Sequence, residues 1–366
     1  MEMLIGLCAC AVNGSVPGQA AVEGIQIEEL FRVADKHLLA SAVGMALESA
    51  GIKAPAFVQA VAQAQRKNAL LDADRARVLA ELEKDGIWYV PLKGAILKDM
   101  YPRYGMRQMA DNDILFDASR RADVRKIMED LGFSVEKYDA ANHDVYHKKP
   151  LSNFEMHVHL INGRTSNERL ARYYDDVKDR LVKDEGNEYG YHFSDEDFYL
   201  YLVAHEYKHY VQGGTGLRSL LDTYVYLKKK EQELDWDYIR REAAKMAVTE
   251  FEAINRSLAL HLFDGEALSE EEQKMLDYII SSGAYGTMAN DVSNQIGEKG
   301  RLRYFISRLS LPREDMVGQY PVLKKAYWLY PVMLVWRIVK KFFVSHKKFM
   351  YQLKAAMGIV KPDREE

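Results

Sequence analysis

The sequence predicts an α+β chain in which a short mixed run of strands and helices is embedded in largely helical N- and C-terminal sections. Three observations carry this expectation. Apolar residues recur at helical spacing over residues 27–84. The tone then changes at Ile87-Trp88-Tyr89-Val90-Pro91-Leu92, a run of branched and aromatic residues that suits a buried strand. Helical periodicity returns from about residue 194. The expected organisation is a helical section over 1–86, an α/β core over 87–163, a helical domain over 164–315 and a basic aromatic segment over 316–366.

In the first section the helical positions are Leu30, Val33, Leu38 and Leu39, then Val58, Val61, Leu70, Leu71, Val78, Leu79 and Leu82. Gly51 and Pro55 interrupt them and Gly86 ends them. Residues 94–101 then read as a short helix, 113–116 as a strand, 119–131 as an amphipathic helix closed by Gly132, and 133–138 and 143–148 as strands. The segment Phe154-Glu155-Met156-His157-Val158-His159-Leu160 alternates apolar and polar residues, so it reads as a strand with Glu155, His157 and His159 on one face. Ser194, with Asp197 three positions on, reads as the N-cap of the next helix.

Composition narrows the function classes. With 366 residues, 48% hydrophobic and 28% charged, the chain is globular and long enough for more than one packed unit. Fifty basic residues against 54 acidic ones leave a net charge of −4, so neither non-specific nor sequence-specific nucleic-acid binding is expected. Cys8 and Cys10, separated by one residue, make no disulfide framework, which fits a reducing cytoplasm. Glu2 stands where a secretory signal would carry positive charge, and no uncharged apolar run reaches about 18 residues, so neither an export signal nor a membrane span is expected.

The densest chemistry lies at Lys93-Gly94, Arg107, Asp111-Asn112-Asp113 and Glu155. Carboxylates two apart on a strand leave the same face and can share a hard divalent cation. A third acid on a neighbouring strand would complete an oxygen-rich site of the kind that holds magnesium against phosphate. Lys93-Gly94 follows a strand and opens a helix, where glycine permits close backbone approach and free N–H groups face an anion, with Arg107 as a further cation.

The set Leu92-Lys93-Gly94, Tyr101-Pro102, Arg107, Asp111-x-Asp113 and Glu155-x-His157 resembles the uncharacterised nucleotidyltransferase family of the DNA-polymerase-β-like superfamily. The resemblance continues through His205, His209, Arg218 and Asp222 to the Tyr320-Pro321 and Pro331 region. It implies a small nucleotidyltransferase-type mixed sheet with flanking helices. In that fold Asp111, Asp113 and Glu155 bind two magnesium ions, while Lys93, Gly94 and Arg107 grip the phosphates of an NTP. His157, His205, His209, Arg218 and Asp222 support the site or its acceptor side. The implied reaction is in-line attack of an acceptor hydroxyl on the α-phosphate, with pyrophosphate leaving and ATP the expected donor. Two positions depart from the superfamily's pattern. Lys93-Gly94-Ala95 replaces the usual Gly-Ser loop, and Asn112 stands where an apolar residue is usual, which is expected to weaken packing behind the site.

Two other readings compete. His205-Glu206-Tyr207-Lys208-His209 is a His-Glu-x-x-His string on a helix, as zinc hydrolases use, with Glu231 or Glu233 the conceivable third ligand. Its longer form fails at Gln212 and Thr215. Glu155, His157 and His159 could instead form a strand-borne transition-metal site. Finally, residues 316–362 hold nine lysines or arginines, no acidic residue, and Tyr327, Trp328, Trp336, Phe342, Phe343 and Phe349. That pattern suits an anionic membrane surface or an acidic partner, and a non-catalytic anchoring or adaptor protein would use the same segment.

Overall fold

A computed structural model describes residues 1–139, 142–161, 167–300 and 320–344, with single positions at 303, 316, 350 and 354. Its contacts divide the chain into two units, Met1–Lys208 with Gly216–Ala284, and His209–Thr215 with Tyr285–Glu366. The first unit opens with helices α1 (Glu2–Asn13), α2 (Gln19–Val22), α3 (Ile27–Lys36), α4 (Ala40–Ser49) and α5 (Pro55–Lys84). Helix α1 lies outside the periodic stretch seen in the sequence, yet it packs Leu4, Leu7, Cys8 and Ala11 inward, against α4 and the later helix over Thr249–Asp264. Pro55 sits in the first turn of α5, where its missing N–H costs nothing.

Between residues 89 and 157 the chain forms β1 (Tyr89–Pro91), α6 (Gly94–Leu97), β2 (Asn112–Phe116), α7 (Arg121–Asp130), β3 (Ser134–Lys137), β4 (His143–Lys148) and β5 (Ser152–His157). The five strands make one mixed sheet in the order β1-β2-β5-β4-β3. Strands β2 and β5 are parallel and every other neighbouring pair is antiparallel. Alternation along the strands separates two faces. Ile114, Phe116, Tyr146, Phe154 and Met156 pack with Val78 and Leu82 of α5 and Val124, Ile127 and Met128 of α7 in one apolar core. The opposite face carries Asp113, His143, Glu155 and His157.

The helical part follows: α8 (Glu168–Tyr173), α9 (Asp195–Gln212), α10 (Leu217–Lys230), α11 (Trp236–Met246), α12 (Thr249–Asp264) and α13 (Glu270–Ser282). A hairpin not expected from the sequence, β6 (Leu181–Lys183) with β7 (Tyr191–Phe193), leads into α9. The Tyr89 N–H donates to the Tyr189 carbonyl at 3.0 Å, which shields the free edge of β1. Ser194 does cap α9, accepting from the Asp197 N–H at 3.1 Å. The Asp197 carboxylate, however, accepts from the Tyr238 hydroxyl at 2.9 Å and so does not close a reciprocal box.

Two expected elements are shorter than the pattern suggested. The helix over 94–101 is one α turn followed by a 3-10 turn at Lys98–Met100. Strand β5 stops at His157, where the Val158 and His159 N–H groups both turn to the Asn142 carbonyl, at 2.8 and 3.3 Å. His159 is therefore exposed and off the strand.

In the second unit, α14 (Met288–Lys299) is capped by Thr287 and tied to the end of α9 by Asn294, whose amide donates to the Tyr210 and Val211 carbonyls. Helix α15 (Tyr330–Val344) follows two 3-10 turns. The rest of the basic segment, at 317–319, 345–349, 351–353 and 355–362, lies outside the described residues. Among the described residues, no helix is long and apolar enough to cross a membrane.

Candidate active site

The polar face of the sheet is assembled by register. Asp113 on β2 is paired directly with Glu155 on the parallel strand β5, and Asp111 lies two residues before Asp113, so it leaves β2 on the same side. Asn112, between them, must point the other way. It does so into a buried socket on α5, donating to the Leu71 carbonyl at 2.9 Å and accepting from Arg75 at 3.0 Å. The expectation that a polar residue here loosens the packing is corrected, because both ends of the amide are satisfied.

Burial, then the charges of Asp113 and Glu155, push the Asp111 carboxyl up to about 7, against the pull of Arg218 and Lys93. Glu155 is raised for the same reasons, burial first and Asp113 second. Asp113 is also buried, yet its carboxyl lies below the ordinary range because His157 Nε2 donates to it at 2.9 Å. His143, facing His157 across β4 and β5, has its pKa lowered to about 4 by burial and by the neighbouring imidazole.

Lys93 occupies a positive φ of 30°, an uncommon and strained conformation for a side-chain-bearing residue. Its ammonium lies 2.9 Å from His205 Nδ1, and burial lowers its pKa to about 8. Gly94 allows close packing: a Cβ there would fall 2.8 Å from Met109 Cε and 3.0 Å from Arg107 Nη1. Arg107 is buried and grips Asp222 on α10 with two bonds, Nε to Oδ1 at 2.7 Å and Nη2 to Oδ2 at 2.9 Å. The Tyr101 hydroxyl adds a third bond to Asp222 at 2.8 Å. Arg107, expected to grip phosphate, is thus engaged within the protein, and Asp222 is its partner.

Other cations face the acids instead. Arg218, which donates to the Gln108 carbonyl at 2.9 Å, and Lys67 on α5 both act on Asp111 through their charge. Lys208 does the same to Glu155 and Asp113. Burial lowers the pKa of all three. The Tyr201 hydroxyl is raised by burial and then by the charges of Asp113, Glu155 and Asp111, and its ring packs edge-on to His205. Sequence reasoning missed His143, Lys67, Lys208 and Tyr201. For Lys208 the signal was present, inside the His-Glu-x-x-His string; for the others only strand register or helix packing reveals it.

In that string, Glu206 is buried and accepts from Asn255 at 2.7 Å and from Thr223 at 3.1 and 3.2 Å. Burial pushes its carboxyl to about 8. His205 faces Lys93, while His209 is exposed and belongs to the second unit.

A family model described as an uncharacterised nucleotidyltransferase matches residues 23–264, a span that takes in the whole five-stranded sheet and α3 to α12. No curated protein and no solved structure matches the chain.

Proposed function

The chain belongs to this uncharacterised nucleotidyltransferase family, and from that premise we propose that Asp111, Asp113 and Glu155 catalyse transfer of a nucleoside monophosphate from an NTP, with ATP the expected donor, to an acceptor hydroxyl. The observation that carries the reading is the side-by-side placement of Asp113 and Glu155 with Asp111 upstream; burial first, and then the charges of these two neighbours, raise the Asp111 carboxyl to about 7. An all-oxygen donor set fits a hard dication, so Asp111 and Asp113 would hold the magnesium that carries the nucleotide, with Glu155 serving a second ion. When bound, magnesium offsets charge on the attacking and leaving oxygens.

The chain's own groups do the rest. Lys93, Lys67 and Arg218 bind and orient the triphosphate, and His205 fixes the Lys93 ammonium at 2.9 Å. Glu155, raised by burial and by Asp113, takes the proton of the acceptor hydroxyl as its oxygen attacks the α-phosphorus. The bond to the β-phosphate bridging oxygen breaks and pyrophosphate leaves. His157 keeps Asp113 ionised, and the Arg107–Asp222 pair anchors the segment that leads into β2 to α10.

Zinc hydrolysis through His205 and His209 is disfavoured, since its general base would be Glu206, whose carboxylate is held inside the helical domain by Thr223 and Asn255. On α15, Val332, Val335, Trp336 and Val339 are exposed on one face beside Lys340. We read that face as a peripheral surface for anionic lipid, additional to catalysis.

A thermal-shift screen with each NTP, with and without magnesium, tests the proposal. Stabilisation by at least one NTP in the presence of magnesium, accompanied by pyrophosphate release on addition of an extract containing acceptors, is the expected result. No shift with any NTP and no pyrophosphate would overturn it.

A further inference from the structure

Glu155 is also a corner of a second donor set, one that the proposed reaction does not require. His143 Nε2 and His157 Nε2 lie 3.5 and 3.6 Å from Glu155 Oε2, and ligand atoms of the three residues all fall within 4.8 Å of one another. Two donors sharing a tetrahedral ion at about 2.0–2.1 Å sit roughly 3.4 Å apart, so both separations admit an ion with little movement. The cluster is built into the sheet. His143 and His157 are direct partners on antiparallel β4 and β5, and Glu155 precedes His157 by two residues on the same face.

In both rings it is Nε2 that faces Glu155. His157 is 8% exposed, and in both rings Nδ1 is buried without a partner. Two imidazole nitrogens and one carboxylate oxygen suit a borderline transition metal, whereas magnesium prefers oxygen alone. We infer that His143, Glu155 and His157 form a binding site for a divalent transition-metal ion of the zinc and cobalt class, beside the all-oxygen Asp111–Asp113 pair and sharing Glu155 with the proposed magnesium site. Ligation through His157 Nε2 replaces its bond to Asp113 Oδ1, and the ring proton then resides on Nδ1. This position differs from the one expected in the sequence, because His143 on the adjacent strand takes the place of His159.

The inference does not depend on nucleotidyl transfer, and its test uses no nucleotide. Full-length protein is titrated with Co2+ while visible absorption is followed, and then back-titrated with Zn2+ and with excess Mg2+. The expected result is one Co2+ per chain with the d–d bands of mixed nitrogen–oxygen ligation, displaced by Zn2+ and not by Mg2+. Affinity should fall at least about tenfold in His143→Gln, with circular dichroism confirming its fold, and stay unchanged in His205→Asn and His209→Asn. A measurement on the wild type needs no variant: Zn2+ should shift the imidazole NMR signals of His143 and His157 together. Equal Co2+ affinity in a folded His143→Gln, a loss that follows His205→Asn instead, or imidazole signals that do not move with Zn2+ would each overturn the assignment. Absence of NTP binding in the same preparation would bear on the catalytic proposal and leave this result intact.

Discussion

At Asp111 the site's electrostatics become a stability effect. Its carboxyl titrates at about 7 in the folded chain against an ordinary 3.8, so between these values the folded state binds more protons than the unfolded one. Stability therefore falls as pH rises through that window, fully so above about 7 and not at all below about 4. Asp111→Asn should stabilise the metal-free protein at pH 8, by at most about 4 kcal/mol, with the gain vanishing toward pH 4, as measured by urea unfolding across pH. Asn112 should behave in the opposite way. Asn112→Leu strips a partner from Arg75 and from the Leu71 carbonyl, and about 1–2 kcal/mol should be lost in the same assay. The shared side of Asp111 and Asp113 was legible in the sequence from their spacing of two, and the side of β5 that Glu155 takes from the alternation of that strand. His143 was not, since nothing local says which residue of another strand will lie opposite His157. Nor could the pairing of Arg107 with Asp222 be read, because the two are 115 residues apart.

Among elements, the segment that leads into β2, whose Arg107 side chain lies against Gly94, is held to α10 by the buried Arg107–Asp222 pair. Arg107→Ala leaves that carboxylate buried without its cation, and should cost about 3–5 kcal/mol in denaturant unfolding. A folded, undiminished Arg107→Ala that has merely lost nucleotide affinity would contradict the anchoring role. Helix α15 presents Val335 and Trp336, 61% and 56% exposed, on a segment with no acidic residue between 316 and 362. The chain should bind anionic vesicles at low salt, release them as ionic strength rises, and bind less in Trp336→Glu. Vesicle flotation that shows no low-salt binding would remove the lipid reading. Most helices were visible from their 3.6 period. Strand β5 ended earlier than its alternation, because the Asn142 carbonyl captures the next two N–H groups, and the β6–β7 hairpin is too short to leave a pattern.

Over the whole molecule, a sheet with one apolar face packed on α5 and α7 leaves its other face free to gather acids, imidazoles and cations from distant parts of the chain. The α+β class was legible because the hydrophobic period switches near residue 87. The strand order β1-β2-β5-β4-β3 was not, since pairing β2 with β5 is a long-range choice that no local pattern encodes. That pairing is nevertheless what sets Asp113 beside Glu155, and it underlies the catalytic proposal. The most direct test is calorimetric titration of ATP, with and without magnesium, into wild type, Asp111→Asn, Asp113→Asn and Glu155→Gln. Magnesium-dependent binding in the wild type, lost in both Asp variants and kept in Glu155→Gln, is the result expected. ATP binding that ignores magnesium, or Asp variants that bind as tightly as the wild type, would contradict a nucleotidyltransferase centre at these residues.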